Sequence, residues 1–216
     1  MAGLDVLSAD LGYFLSESPR RHPAVTAPVS RLSYAGLLRV NPIAATRLLA
    51  GIEPGLHAIP VEHVGNAIVS PEEAHAVASL IRDVLGRRWT DPTTDRVNDP
   101  LTEADVIGVT PDDAQRLLVR DGLAVAGYPG NHVGTVDKFQ GQEAAVAIVM
   151  LAASSADDAP RGMVFLIMKN RLNVAISRAK WTAYLVYAPA LTEYLPPTPA
   201  GVAELSAFIS LVEPEP

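Results

Sequence analysis

Arg171, Arg178 and Lys180 fall within the run Asn170-Arg-Leu-Asn-Val-Ala-Ile-Ser-Arg-Ala-Lys180. A guanidinium fork matches the oxygens of a phosphate and does not lose its charge, so a fixed arginine can stabilise charge on a transferring phosphoryl group. A helical reading of this run is expected to bring the three cations close together. Upstream lies Val133-Gly-Thr-Val-Asp-Lys-Phe-Gln-Gly-Gln-Glu143. Here an apolar strand runs into a polar, Gly-containing turn. Such a turn offers backbone donors around Gly141, the amide of Gln140 and the carboxylate of Glu143, all suited to a ribose or a phosphodiester. Either segment alone is a common pattern, a solvated turn or a surface arginine. The pairing of the two carries the weight.

Elements that could hold these residues alternate along the chain. Short apolar runs at 12–15, 56–61, 105–110, 132–136, 146–151 and 183–187 read as strands, and several are apolar throughout, as in a parallel sheet buried on both faces. Between them, Ser70-Pro-Glu-Glu73 is a capping-box start for a helix over 74–85. Further helices are expected over 112–123, closing on Gly122, and over 172–179 and 202–212. The alternation predicts an α/β, doubly wound, mostly parallel sheet flanked by helices. In such sheets ligands sit outside the carboxyl ends of the strands, and residues 135–143 are expected there. The polar, Pro-bounded stretch 91–100 reads as a mobile loop. Residues 213–216 read as a frayed tail.

Composition narrows the class. The chain has 216 residues, 49% of them apolar, which suffices for a buried core without staples. It contains no cysteine, which excludes disulfides, thiolate metal sites and cysteine nucleophiles and fits an intracellular, cytoplasmic setting. No apolar run is long enough to span a membrane, and the N-terminus does not read as a signal peptide. The formal net charge of −7 argues against a non-specific nucleic-acid coat. A local basic site remains open, because all three lysines, Lys138, Lys169 and Lys180, lie in or beside the two motif regions.

The two segments resemble motifs of the second RecA-like domain of superfamily 1 helicases of the up-frameshift-like branch. That branch has 5′-to-3′ members and includes bacterial chains in which the motor follows a RecB-like nuclease region. Ser18-Pro-Arg-Arg-His-Pro23 resembles the family's Arg-Met-His-Pro element, and Val109-Thr-Pro-Asp-Asp-Ala-Gln115 its Pro-Tyr-x-x-Gln element. The resemblance implies a P-loop NTPase-type fold, with a lead-in over 1–10, the motor domain over 11–190 and a C-terminal extension over 191–216. It implies that Arg20 and Arg178 reach the γ-phosphate of ATP. Glu143, Gln140, Gly141 and Arg171 then belong to the nucleotide side, and Thr135, Gln115 and Lys138 to the path of a single strand, DNA rather than RNA. Local hydrogen bonding is an equal alternative for Thr135 and Gln115, as is an ordinary ion pair for Arg171. Helix initiation is the preferred reading of His22 and Pro23.

The departures are as informative. Arg21 stands in place of the family's Met, Pro19 in place of an aromatic residue and Asp112 in place of Tyr. A phosphate-binding loop needs Gly-Lys-Ser/Thr. Lys138, Lys169 and Lys180 instead precede Phe139, Asn170 and Trp181. The stretch 67–75 imitates an acidic Mg²⁺ box, but Pro71 and the capping box account for it better. ATP and Mg²⁺ are therefore expected to act only together with a first RecA-like domain, in cis or in trans. No protein metal site is expected. The other reading is a degenerate module that binds a partner protein or nucleic acid without hydrolysis.

Overall fold

The computed structural model describes residues 17–18, 21–33, 39–139 and 141–213. In chain order the strands and helices are β1 (Glu17–Ser18), α1 (Pro23–Ser33), β2 (Arg39–Val40), β3 (Leu48–Leu49), β4 (Gly55–Pro60), α2 (Pro71–Val84), β5 (Arg88–Asp91) and β6 (Arg96–Pro100). There follow β7 (Val106–Thr110), α3 (Asp113–Val125), β8 (His132–Thr135), β9 (Ala144–Met150), α4 (Met163–Leu166), α5 (Lys169–Ile176), β10 (Ala179–Tyr187) and α6 (Pro199–Val212). Five strands form one sheet in the order β4-β10-β9-β7-β8, with every pair parallel. This is the α/β, mostly parallel, helix-flanked sheet that the alternation of strands and helices predicts.

The apolar run of β9 is buried at every position because helices cover both faces of the sheet. Ala147, Val149 and Leu151 face a core shared with Val29 of α1, Leu172 and Ile176 of α5, and Phe208 of α6. Val146, Ile148 and Met150 face a second core with Val77 and Ile81 of α2 and Val119 and Leu123 of α3. Complete burial of such side chains stabilises by about 1.5–3 kcal/mol each. The C-terminal helix α6 thus belongs to the same core as the sheet.

Local chemistry sets the helix starts. The Ser70 side chain accepts from the Glu73 amide, and Pro71 opens α2. Asp112 accepts from the amides of Ala114 and Gln115 at the start of α3, which runs through Gly122 to Val125. His22 starts α1: its Nδ1 accepts from the Ala24 amide, in keeping with helix initiation at Pro23. Burial, then the nearby Arg47 charge, lowers its pKa, as the neutral acceptor role requires.

Two sequence readings need correction. Residues 91–100 are not a loop: Arg96–Pro100 pairs antiparallel with Arg88–Asp91, which also pairs with Leu48–Leu49, giving a second, three-stranded sheet. A turn with Asp95 at positive φ closes this hairpin, where glycine is the usual signal. The helix expected over 172–179 ends at Ile176, and Ala179 already belongs to β10. The strand expected at 12–15 lies outside the described residues.

Candidate functional site

The sheet register assigns each motif residue to an edge. Thr110 pairs with Thr135, and Val109 with Val149, so Thr135 ends its strand at the carboxyl edge. Glu143 precedes Ala144, which opens β9 opposite Ala179, the first residue of β10. Glu143 and Arg178 therefore lie at the amino edge. Residues 136–143 cross the sheet from one edge to the other, so the whole motif is not at the carboxyl ends as the sequence suggested. The crossing begins with a 3-10 turn over Val136–Phe139, whose Phe139 ring is buried in the core. A Cβ on Gly134 would lie 2.9 Å from that ring, so only glycine lets the turn fold back on the strand. Gly141 has φ +81 and open space around it. Gln140 and Arg20 lie outside the described residues.

Arg178 joins the two motifs directly. Its Nη1 donates to the carbonyls of Phe139 (3.1 Å) and Gln142 (3.2 Å), and its Nε to the Val174 carbonyl (2.9 Å). The Ala144 amide donates to the Arg178 carbonyl at 3.0 Å. Arg171 is not beside them. It sits a full helix away in the first turn of α5, with Nη2 within 3.5 Å of the Pro111 carbonyl and its guanidinium 4.4 Å from the centre of the Phe165 ring. Arg178 lies two residues past the end of α5, so the helix alone carries the chain about 8 Å along its axis from Arg171. The expected cluster therefore reduces to Arg178 and Lys180 at one edge, with Arg171 at the other.

At the carboxyl edge the sheet order reverses between β7 and β9, the position where open α/β sheets form ligand crevices. A cavity of about 300 Å³ opens there, walled by Ile68, Pro111, Leu151, Pro160, Phe165 and Leu166. Lys138 stands at this edge with Nζ 3.3 Å from Asp113. Its neighbour Arg116 and Lys138 itself hold the Asp113 carboxyl below its ordinary range. Gln115 is fully buried, and its side chain makes two hydrogen bonds with the Ser70 main chain, accepting at 2.8 Å and donating at 3.2 Å. Those bonds are the local hydrogen bonding that the sequence left as an equal alternative for Gln115.

Two buried networks escaped the sequence reading. Glu73 is wholly buried, accepts from the amides of Leu151 and Ala152, and faces His63 Nε2 at 3.3 Å. Burial raises its pKa despite the His63 bond. His63 Nδ1 in turn meets Ser154 Oγ at 2.7 Å. This network fixes the wall of the carboxyl-edge cavity, where Ala152 is held at φ +66. The second network joins Arg47, Asp91 and Lys180 at the amino edge: Asp91 lies 2.9 Å from Arg47 Nε and 3.1 Å from Lys180 Nζ. Only spatial proximity reveals it, because the partners are 44 and 89 residues apart in sequence.

Among the described residues no group of three or more His, Asp or Glu could hold a metal ion, and no helix is long and apolar enough to cross a membrane. No curated protein matches the chain. Among solved structures it is similar to the C-terminal domain of a possible DNA helicase from Lactobacillus plantarum WCFS1. The two are 14% identical with a TM-score of 0.47, and the match covers 88% of this chain and 96% of that one. The profile of the AAA domain family matches residues 9–188. With most of its length so matched, the chain belongs to the AAA domain family.

Proposed function

We propose that this chain is the second motor domain of an ATP-dependent nucleic-acid helicase, of the up-frameshift-like branch. It would work on single-stranded nucleic acid, DNA rather than RNA, opposite a first RecA-like domain that carries the phosphate loop. The observation that most supports this reading is the joining of the two motifs at one edge by Arg178, which bonds to Phe139 and Gln142 beside Glu143.

Arg178 places fixed positive charge at that edge, which fits a triphosphate. Glu143 and Gly141, with Gln140 and Arg20, complete the nucleotide side, and the Mg²⁺ ligands fall to the first domain. ATP bound there supplies the phosphoryl group. Arg178 neutralises charge on its oxygens, a role that contributes on the order of 10³–10⁵ in rate where an arginine finger is present. Thr135 and Lys138 face the strand at the opposite edge, and closure of the two domains completes the site.

The test is reconstitution. Purified alone, the chain turns over ATP negligibly. Mixed with a first RecA-like domain bearing a Gly-Lys-Ser/Thr loop, it gains ATPase activity stimulated by single-stranded DNA, and Arg178→Ala removes that gain. Robust turnover by the chain alone, lost in Arg178→Ala, overturns the proposal.

One observation favours the second reading, an interaction module without hydrolysis. Arg178 already spends its Nη1 and Nε donors on main-chain carbonyls. Unaltered partner binding with no ATPase gain on adding the first domain supports the module.

A further inference from the structure

We propose that the small antiparallel sheet β3-β5-β6 is a positioning device for the arginine-bearing edge, and that Asp91 is the residue through which it acts. The inference rests on the proposed nucleotide role of that edge, but its geometry stands independently.

The strand that follows Arg178 does not enter the sheet regularly. Ala179 pairs with Ala144, yet the next aligned pair is Thr182 with Val146, so β10 carries one extra residue. This bulge holds Lys180 and Trp181. Bulges re-aim side chains and are common beside functional sites. Both bulged side chains are gripped by the small sheet or the chain around it. Lys180 Nζ lies 3.1 Å from Asp91 Oδ2. The Trp181 ring packs edge-on against Trp89 at 6.3 Å, and its Nε1 donates to the Ile52 carbonyl at 2.9 Å.

Asp91 is itself immobilised. It is wholly buried, and its Oδ1 accepts from Arg47 Nε, from the Thr93 amide (3.1 Å) and from the Thr93 hydroxyl (2.7 Å). Arg47 also donates to Thr93 at 3.1 Å. A buried carboxylate with all these donors cannot swing, so Lys180 has a fixed target.

The bulge hands this rigidity to both candidate phosphate segments. On its N-terminal side, the Arg178 carbonyl accepts from the Ala144 amide, next to Glu143. On the bulge itself, the Lys180 carbonyl accepts from the His22 amide at 2.8 Å, and the His22 ring lies 4.8 Å from that of Trp181. His22 is two residues beyond Arg20 in the chain. One ion pair and one tryptophan pair thus hold the chain immediately beyond Arg178, and through it His22. The Asp91 side chain bonds to Arg47, Thr93 and Lys180 rather than to Arg178, so it is a positioning residue.

The test uses the full chain with Asp91→Asn, which keeps the shape and removes the charge that Lys180 faces. Residue-resolved amide exchange is expected to quicken at least tenfold at His22 and Ala144, while Ile148 and Val149 in the sheet centre stay within twofold. In parallel, titration with Mg²⁺-ATP is expected to show a several-fold weaker Kd for Asp91→Asn, and the same for Lys180→Met. The lysine variant, which leaves Asp91 with Arg47, serves if the first fails to fold.

Unchanged exchange at His22 and Ala144, or equal quickening everywhere, overturns the positioning role. So does an ATP affinity that falls in Arg178→Ala yet is untouched in Asp91→Asn. Absence of ATP binding by wild type, whether alone or with a first domain, refutes the nucleotide reading instead. Amide exchange then still decides whether Asp91 positions the edge.

Discussion

Arg178 reaches across thirty-nine residues of sequence to the carbonyl of Phe139, 3.1 Å away, and so ties the end of α5 to the segment that crosses the sheet. The guanidinium thereby has two possible employers, main-chain carbonyls and an incoming phosphate. Hydrogen bonds to a charged group contribute about 1.5–3 kcal/mol, so the resting contacts are a real competitor.

Arg178→Ala is therefore expected to lower the unfolding free energy of the free chain by about 1.5–3 kcal/mol, because it removes the charged bonds to the Phe139 and Gln142 carbonyls. Urea denaturation checks it. A variant as stable as wild type would mean that the resting contacts contribute nothing.

Gln115→Ala separates packing from recognition. The buried amide is the partner of both the Ser70 amide and the Ser70 carbonyl. The Ser70 carbonyl keeps the Ala74 amide as a partner, but the Ser70 amide is orphaned, at a cost of about 1–3 kcal/mol that urea denaturation is expected to show. Affinity for a single-stranded oligonucleotide is expected to stay unchanged, while Lys138→Ala weakens it. A folded Gln115→Ala protein with impaired oligonucleotide binding would restore the direct-contact reading.

Asp91 sets an acid limit. Burial pushes its pKa up, but the Thr93 and Lys180 bonds outweigh burial and bring it from 3.8 down to about 2. A depressed folded-state pKa gives stability that is present above the unfolded value and lost as pH falls through the folded one. The window therefore runs from about pH 4 down to about pH 2, and the linked loss is about 2 kcal/mol. Urea titrations of wild type and Asp91→Asn between pH 5 and 2 are expected to converge by that amount. Parallel curves would show that the carboxylate charge contributes no such stability.

Gly134→Ala tests the tight return of the crossing segment. The added Cβ meets the Phe139 ring at 2.9 and 3.1 Å and Lys138 Cβ at 3.3 Å. Overpacking of this kind costs about 1–3 kcal/mol. Combining it with Phe139→Leu is expected to cost less than the sum of the two single changes, since the smaller side chain relieves the clash. Thermal unfolding of the three variants reads this directly.

Much of the parallel sheet was legible in the sequence because its strands announce themselves as continuous apolar runs, and because Ser70 and Asp112 cap their helices with their own side chains. The small sheet was not. Its β6 alternates only between half-exposed and exposed residues, and its β5 buries Trp89 and Asp91 among polar neighbours, so no apolar period marks it. The motif residues were visible as residue types, but their division between two edges depends on strand order. Nothing local to 133–143 reveals that β10 and β7 flank β9 while β8 lies at the rim. The same applies to Arg171, whose separation from Arg178 follows from α5 running between the edges.

The crossing segment has a consequence for chain length. Thr135 ends β8 at one edge and Ala144 begins β9 at the other, with residues 136–143 stretched between them. Strand β9 is buried on both faces, with the smaller Ala147 on one and the bulkier Val146 and Ile148 on the other. Removing or adding one residue in 136–143 would slide β9 by one position and send every side chain to the opposite layer. The segment thus acts as a ruler for its own strand, held to a fixed number of residues as well as to particular residue types.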